Sequence, residues 1–469
     1  MYIYDSSRKE KVLLEPIRDN EVSIYVCGPT VYDDAHLGHA RSALSFDLLR
    51  RTLETLGYSV RFAKNFTDID DKIIKKMNET GKSLEEITSY YMRRYLEEMD
   101  ELKVLRADME PRATESIEAI ESMIEDLLER GCAYRTENGD VYFDTSVDSR
   151  YGSVSGMTMD DSDSRSRVCS LITKKNPKDF SLWKACGDTS TDVCFDSPLG
   201  RGRPGWHIEC SAMIEKFFDG DGNYTIDIHG GGADLLFPHH ENEAAQTRCA
   251  TGHEIAKYWM HNGFVQIDGE KMSKSLGNSF FLKDALSVYG GELLRFYLIG
   301  VHYRNDFNFN EEDIQSAKKR LDKIYRLKKR ILPSRAGDPD ANFVSRLKGA
   351  MADDLNSSAA LAIIDEMIGE ANEKLDADAG GKEFKRKILG NLAFVDRLMG
   401  IGGEDPYLWF QHGVSEKERE KIESLISLRT QAKREKDFER ADIIRNELEE
   451  MGVSLMDTPE GTKWEKSRV

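Results

Sequence analysis

The sequence predicts an α/β protein with a parallel sheet flanked by helices, an insertion within that sheet domain, and a helical C-terminal region. Strand-like apolar runs alternate with helix-like runs over residues 1–115 and again over 201–307, as is typical of a parallel sheet. From residue 308 the pattern is helical. Residues 145–200 are less regular, and we interpret residues 116–200 as an insertion between two halves of a nucleotide-binding fold.

Local signals place the individual elements of the sheet. An apolar run at Val22–Val26 predicts the first strand, the helix-like run Ala40–Leu56 follows it, and Tyr58–Ala63 predicts the second strand. The alternating run Tyr224–Ile228 predicts a later strand that ends at a glycine-rich turn, residues 229–234. Because ligands bind at the carboxyl ends of strands in such folds, we expect this turn to form the floor of a pocket.

Composition excludes several classes of protein. The 469 residues are 39% hydrophobic and 32% charged, and no apolar run approaches the ~18 residues of a membrane span. The N-terminus shows no secretory signal. Seven cysteines without a Cys-x-x-Cys pair argue against a disulfide framework and for a reducing, cytoplasmic location. The net charge of −18 opposes general nucleic-acid binding, unless the basic residues are clustered.

Two short motifs indicate chemistry on a polyphosphate. His36, Gly38 and His39 stand where the first strand passes into the first helix, and a helix N-terminus attracts anions. Lys271 and Lys274 lie three positions apart in a Lys-Met-Ser-Lys-Ser sequence. Histidine and lysine donors suit a triphosphate whose charge shifts during reaction. Either motif alone is weak evidence, since such residues are commonly solvated surface.

A metal site is a further hypothesis. His239 and Glu243 are four residues apart, so one helical face carries both, whereas the equivalent partner of His240 is an alanine. Cys27 and Cys210 follow or lie near other strand ends, and two thiolates, an imidazole and a carboxylate suit zinc. Spacing alone cannot bring the two cysteines together. A buried cysteine is more often a small apolar residue.

The helical tail carries cations that could bind nucleic acid. Basic residues crowd the predicted helix over 318–330 and the helices after residue 415. A charge run of this kind is equally typical of a solvated helix face. Near the C-terminus, Trp464 is a candidate either for base stacking or for the core.

Five blocks of sequence, in order along the chain, resemble the cysteinyl-tRNA synthetase family, whose members are class I aminoacyl-tRNA synthetases. These blocks are Tyr25–Tyr32, Asn65–Lys72, Gly205–Met213, His229–Glu243 and Lys271–Asn278. The resemblance implies a Rossmann-like catalytic domain in two halves, 1–115 and 201–307, with the connective insertion 116–200 between them. It further implies a helical stem-contact domain at 308–405 and a small α/β anticodon-recognition region at 406–469.

The resemblance also implies the roles of individual residues. By it, one Zn²⁺ per chain is held by Cys27, Cys210, His239 and Glu243. ATP is bound with Mg²⁺ by Thr30, His36, Gly38, His39 and Lys274, of which His36, His39 and Lys274, together with Lys271, are the catalytic group. The amino acid lies against Thr67, Trp206, His229 and Asp234.

The implied reaction joins L-cysteine to tRNA(Cys) through an adenylate formed from ATP, in a cytoplasmic monomer without membrane contact. Zinc would select cysteine over serine by binding the thiol, because shape alone discriminates one small group by only roughly 10–200-fold. Two alternatives stay open: a ligase that transfers cysteine to an amino-sugar, and a non-catalytic tRNA-binding relative. The first lacks a helical tail like this one, and the second would be expected to have lost the motif histidines or Lys274.

Overall fold

The computed structural model describes residues 1–157, 174–187, 193–267, 270–271, 281–332, 334–378, 380–458 and 461–466. The chain divides into two compact units. The first comprises Met1–Asp284, Leu298–Glu311 and Arg346–Leu361, and the second Ala285–Tyr297, Glu312–Ser345 and Ala362–Val469. The five-part division given above stays a prediction. In the described part of the chain, no helix combines the length and the apolar character needed to traverse a lipid bilayer.

Strands and helices are numbered in chain order. The strands are β1 (Tyr2–Asp5), β2 (Glu10–Leu13), β3 (Glu21–Val26), β4 (Ser59–Lys64), β5 (Ala133–Arg135), β6 (Val141–Phe143), β7 (Phe180–Ala185), β8 (Gly202–Pro204), β9 (Tyr224–Gly232), β10 (Glu254–Asn262), β11 (Val265–Ile267), β12 (Glu270–Lys271), β13 (Phe307–Phe309), β14 (Val453–Thr458) and β15 (Gly461–Lys466). The helices are α1 (Leu37–Leu56), α2 (Asp71–Thr80), α3 (Leu84–Glu101), α4 (Ile117–Glu129), α5 (Trp206–Phe217), α6 (Glu241–Thr251), α7 (Leu282–Tyr289), α8 (Gly291–Ile299), α9 (Glu311–Ile331), α10 (Ala341–Ala352), α11 (Ser357–Asp376), α12 (Lys382–Met399), α13 (Pro406–Trp409), α14 (Glu416–Arg434) and α15 (Phe438–Glu450).

The predicted α/β class is confirmed by a four-stranded parallel sheet. Its order is β10-β9-β3-β4, and every pairing within it is parallel. Local signals account for the helix that follows β3. His36 caps the N-terminus of helix α1. Gly57 caps its C-terminus with a left-handed backbone (φ 101°), which favours glycine. The carboxyl ends of β3 and β9 therefore meet at one edge, beside the start of α1.

The glycine-rich segment after residue 228 is strand and not the predicted turn. Strand β9 continues to Gly232, and its glycines pair with Met260, His261 and Asn262 of β10. Close packing explains the composition: a Cβ atom on Gly230 would stand 2.2 Å from the Phe46 ring. Gly230 thus leaves room for the Phe46 ring of α1 to pack on the sheet.

The insertion is more regular than the sequence suggested. It contains α4 and three strands of an antiparallel sheet of order β5-β6-β7-β8, whose last strand lies just after residue 200. Strands β5, β6 and β8 have only three residues each. Trp183 is fully buried in its core, beside Ile120 and Leu127 of α4. Strands of three residues leave no alternation to detect, and the six residues of β7 do not alternate regularly between buried and partly exposed positions. Residues 160–167, whose polar sequence predicts an exposed loop, lie outside the described residues.

One pair of cysteines contradicts the expectation of free thiols. Cys186 and Cys194, eight residues apart, are joined by a disulfide. The backbone N–H of Cys186 donates to Arg201 at 3.0 Å, and Phe195 pairs with Gly202, so both cysteines are tied to the strand that forms β8. A count of cysteines cannot reveal such a local pair. Free thiols are found among the described residues at Cys27, Cys132, Cys210 and Cys249.

In the second unit, α14, α15 and the β14–β15 hairpin enclose a small core. Trp464 is 2% exposed in that core, and its Nε1 donates to Glu423 at 2.6 Å, so the base-stacking alternative is wrong. Several cations of the predicted basic helix are already paired: Arg320 with Asp365 at 2.7 Å, and Arg330 with Asp376 at 2.5 Å. Such contacts are long-range and were invisible to the charge pattern.

Glu98 on α3 supplies a test of the electrostatics of the first unit. Its side chain is 8% exposed, and burial raises its pKa to about 7, although Arg94 acts in the opposite direction. The folded protein therefore holds a proton there between pH 4.5 and 7 that the unfolded chain releases, and stability falls as the pH rises through this window. In denaturant unfolding, the wild type should lose on the order of 2 kcal/mol of its free energy of unfolding between pH 5 and pH 8. We expect the Glu98→Gln variant not to show this loss.

A matched control lies next to it on α3. The Glu97 side chain is 67% exposed, so Glu97→Gln should leave the pH dependence of unfolding unchanged. Identical pH profiles for wild type and Glu98→Gln would contradict the assignment.

Candidate active site and metal centre

The start of α1 uses its two histidines as caps. His36 Nδ1 accepts from the Gly38 N–H at 3.1 Å, and His39 Nδ1 accepts from the His36 N–H at 3.1 Å. The two rings stack with centroids 3.8 Å apart. Because each Nδ1 acts as an acceptor, each neutral ring carries its proton on Nε2. Both imidazoles are thereby fixed as Nε2–H donors.

A cavity of about 330 Å³ opens in front of these donors. Most of the predicted ligand-binding residues line it: Cys27, Thr30, His36, Gly38, His39, Trp206 and Asp234. Thr67 and His229 do not. Thr67 is buried and bridges to Thr30, while His229 is buried and contacts Glu243. Thr67 and His229 therefore lie behind the cavity wall, Thr67 against the lining residue Thr30 and His229 against Glu243.

Four sequence-distant side chains converge beside this cavity. Cys27, Cys210, His239 and Glu243 are all buried, and one ligand atom of each lies within 4.8 Å of the others. The sulfurs of Cys27 and Cys210 are 3.7 Å apart, Cys210 Sγ is 3.8 Å from His239 Nε2, and His239 Nε2 is 2.9 Å from Glu243 Oε1. The parallel sheet brings them together: Cys27 follows β3, Cys210 lies on α5, His239 lies in the segment before α6, and Glu243 lies on α6.

These distances fit a tetrahedral zinc site. Zinc bonds to sulfur of ~2.3 Å in a tetrahedron separate two thiolates by roughly 3.8 Å. The 3.7 Å between Cys27 and Cys210 matches that edge. The donor set also matches zinc in kind, with two thiols, an imidazole and a carboxylate. The residues present could therefore hold the ion that the resemblance implies.

His240, which the spacing argument set aside, also faces this cluster. Its Nε2 lies 3.4 Å from Cys27 Sγ, and a second group of donors comprises Cys27, His229, His240 and Glu243. Helical spacing could not place His240, because the chain is not yet a regular α-helix here: α6 begins only at Glu241. Consecutive histidines can then point to the same place. Glu243 belongs to both groups, with Oε2 2.7 Å from His229 Nε2.

Neighbouring charges set the protonation of the cluster. A hydrogen bond with Cys27 leads the effects that lower the pKa of the Cys210 thiol to about 6. Burial disfavours charge on His239, but Glu243 and Cys210 outweigh it and raise the pKa of this imidazole to about 10. Burial also opposes charge on Glu243, yet His239 and His229 hold its pKa well below the usual value. Cys210 is thus a thiolate near neutral pH.

Two further histidines orient the cluster and were missed in the sequence. His207 Nδ1 is 2.8 Å from His239 Nδ1, and His261 Nε2 is 2.8 Å from His240 Nδ1. Burial lowers the pKa of each outer ring to about 3, so both are neutral. Partners of this kind fix the tautomer of a metal-binding histidine. Neither residue has a spacing that would have revealed its role.

Trp206 forms one wall of the cavity. Its ring stacks on His239 with centroids 4.1 Å apart, and its side chain is 38% exposed. An exposed tryptophan next to a candidate metal ligand suits a small substrate that packs against both. Asp234 also lines this cavity and contributes a carboxylate group to the cavity wall.

The predicted lysine donors are only partly covered by the described residues. Lys274 lies outside them, and of Lys271 only the backbone is described, in β12, which pairs with β11. The chain is described again at Phe281, which forms a bridge with His36. Phe281, six residues after Ser275, thus lies against the start of α1.

Comparison with known families and proteins agrees with this arrangement. Residues 13–319 match the family described as tRNA synthetases class I (C) catalytic domain, and residues 346–401 match the DALR domain. A curated cysteine–tRNA ligase from a Sulfurovum species is 67% identical over 467 residues and covers 100% of both chains. One from Helicobacter pylori is 56% identical over 468 residues, covering 99% of this chain and 100% of its own.

Solved structures with low sequence identity share the fold. Mycobacterium tuberculosis methionyl-tRNA synthetase in complex with methionyl-adenylate is 15% identical, covers 87% of this chain and 94% of its own, and gives a TM-score of 0.58. A leucyl-tRNA synthetase from Agrobacterium radiobacter, solved in a ternary complex, is 10% identical with a TM-score of 0.61, covering 84% of this chain and 86% of its own. With the full-length identity to cysteine–tRNA ligases, these matches establish that the chain belongs to the cysteinyl-tRNA synthetase family of class I aminoacyl-tRNA synthetases.

Proposed function

We propose that this protein attaches L-cysteine to tRNA(Cys) in two steps. The cysteine carboxylate attacks the α-phosphate of ATP, which gives cysteinyl-adenylate and releases diphosphate. A ribose hydroxyl at the tRNA 3′ end then takes the acyl group and releases AMP. The observation that carries the proposal is the convergence of two thiols, a histidine and a carboxylate at the wall of a cavity that also receives the His36 and His39 donors.

Cys27, Cys210, His239 and Glu243 would hold one Zn²⁺ in this function. Zinc supplies a Lewis acid that takes the substrate sulfur as a thiolate, which the hydroxyl of serine cannot match. A site that binds the distinguishing group directly can discriminate by ~10⁴–10⁵. Selection at this level makes a separate editing domain unnecessary.

The motif residues act on ATP, with Mg²⁺ bound to its phosphates. His36 and His39 donate from Nε2 to phosphate oxygens, and Gly38 leaves room beside the nucleotide, next to Thr30. Lys271 and Lys274 neutralise the departing diphosphate. Fixed donors of this kind stabilise charge that develops in the transition state and need no reorganisation.

The amino-acid subsite combines two lining residues and two buried ones. Trp206 packs against the cysteine side chain, and Asp234 pairs with the substrate ammonium. His229 holds Glu243 through its 2.7 Å contact, and Thr67 holds the Thr30 segment through its bridge. Buried positions suit such supporting roles, because their own rotamers are locked by packing.

The helical C-terminal region would bind the tRNA, with 308–405 on the stem and 406–469 on the anticodon. The match of residues 346–401 to the DALR domain supports this assignment. It also disfavours the amino-sugar ligase, which lacks such a tail. We expect the protein to act as a monomer in the cytoplasm.

Cysteine-dependent ATP–diphosphate exchange by the full-length protein tests the proposal. We expect exchange with cysteine to exceed exchange with serine by about 10⁴-fold or more in kcat/KM. Chelation of the metal should abolish exchange and spare ATP binding, and re-addition of zinc should restore it. A protein without exchange would be a binding relative, and one that charges an amino-sugar but leaves tRNA uncharged would be the alternative ligase.

A further inference from the structure

We propose that Asp34 is a positioning residue for the adenylation step: its carboxylate holds the segment Phe281–Lys283 against the start of α1. This inference rests on the function proposed above. Asp34 lies two residues before His36, and Phe281 is the first described residue after the lysine motif. Asp34 lines the cavity beside His36, and its carboxylate contacts Lys283, so it would tie the segment after the lysine motif to the start of α1.

The backbone of Phe281–Leu282 pairs with the backbone of Ala35–His36. The Leu282 N–H donates to the Ala35 carbonyl at 2.8 Å, and Phe281 forms an antiparallel bridge with His36. Two short segments, distant in sequence, are thus paired directly beside the histidine that caps α1. Any shift of Phe281 is transmitted to the backbone of His36.

Side chains then lock the pairing from both sides of Asp34. Lys283 Nζ lies 2.6 Å from Asp34 Oδ2, and Arg94 Nε from α3 lies 3.1 Å from Asp34 Oδ1. The Asp34 side chain is 13% exposed, so solvent screens these contacts less than on an open surface. Asp34 is thereby the common partner of cations from two other elements.

Removal of the carboxylate would do more than break one ion pair. Lys283 and Arg94 would be left facing one another, with Glu98 as the neighbouring acid 3.5 Å from Arg94. Repulsion between the two cations would push Lys283, and with it Phe281, away from α1. A misplacement of about 1 Å near reacting groups can cost on the order of 10²-fold in rate.

A double-mutant cycle in the full-length protein tests this role. We expect Asp34→Asn and Lys283→Met each to lower kcat for cysteine-dependent exchange about tenfold, and the double variant to be no worse than either single one. The KM for cysteine and the zinc content should stay unchanged. Lys283→Arg keeps the charge and should retain most of the wild-type rate.

The exposed pair of Lys11 and Asp353, with 2.8 Å between Nζ and Oδ1, provides the matched control in the same unit. Lys11→Met and Asp353→Asn should leave kcat unchanged. Multiplicative defects of the Asp34 and Lys283 variants, or a raised KM for cysteine in Asp34→Asn, would overturn the proposal.

Amide hydrogen exchange gives a readout that does not depend on catalysis. The Leu282 N–H should exchange at least about tenfold faster in Asp34→Asn than in the wild type, because its bond to Ala35 opens more often. An unchanged rate would overturn the positioning role. Wild-type protein that lacks cysteine-dependent exchange would instead refute the proposed function, and the Leu282 measurement would still decide on Asp34.

Discussion

Replacement of Cys210 by serine should release the metal and lower kcat/KM for cysteine activation by at least about 100-fold. Cys210 is the thiol with the lowered pKa, about 6, and it sits 3.7 Å from Cys27 and 3.8 Å from His239. A serine hydroxyl stays protonated and is a poor zinc ligand. Discrimination against serine should fall as well, because the group that distinguishes the two substrates is lost.

ATP binding should survive this substitution. The helix caps formed by His36 and His39 do not involve Cys210, so the Nε2 donors stay in place. The measurement is zinc content by elemental analysis together with exchange kinetics and ATP affinity. Cys132→Ser is the control, since Cys132 is a free thiol outside both groups of metal donors. Equal loss of cysteine activation and ATP binding would mean that Cys210 has only a structural role.

The second large effect is expected from His39. Its imidazole has two functions: Nδ1 accepts a hydrogen bond from the His36 N–H, and the protonated Nε2 is the proposed hydrogen-bond donor to ATP. His39→Ala should lower kcat for adenylate formation by about 10²–10³-fold, the usual effect of losing one transition-state donor. It should also lower the free energy of unfolding by about 1 kcal/mol through loss of the cap.

A second substitution separates these two functions of His39. Glutamate is the favoured residue at this position of a capping box, because its carboxylate accepts from the backbone N–H of the cap residue. His39→Glu should therefore recover the stability lost in His39→Ala but remain inactive, since it has no donor. Recovery of the rate in His39→Glu, or a wild-type rate in His39→Ala, would show that the imidazole does not act on ATP.

The parts of the fold that the sequence predicted are those with local causes. The apolar run of β3 acts within a few residues, so β3 and the helix α1 that follows it lie where expected, whereas β1 and β2 were not predicted. In the β5–β8 sheet, strands β5, β6 and β8 have no such signal, because three residues are too few to show alternation. The glycines of β9 were misread as a turn, since their cause is the ring of Phe46 on another element.

Some residues of the candidate site could likewise be predicted from local spacing, whereas others depend on tertiary contacts. The i, i+4 pair of His239 and Glu243 was visible from spacing, and these side chains do meet at 2.9 Å. Nothing in the spacing of Cys27 and Cys210 indicated that they would lie in contact, and only the family resemblance joined them. The supporting histidines at 207, 240 and 261 depend on the tertiary structure alone. Residues that only orient other functional residues are therefore the hardest to identify from the sequence.

The ion pairs within the second unit affect how its surface would meet a polyanion. Where Asp365 already neutralises Arg320 and Asp376 already neutralises Arg330, an approaching phosphate must exchange places with a carboxylate. Such an exchange gains little from released counterions and succeeds only where several phosphates arrive in the right geometry. A strongly acidic protein can in this way accept one folded RNA and ignore bulk nucleic acid.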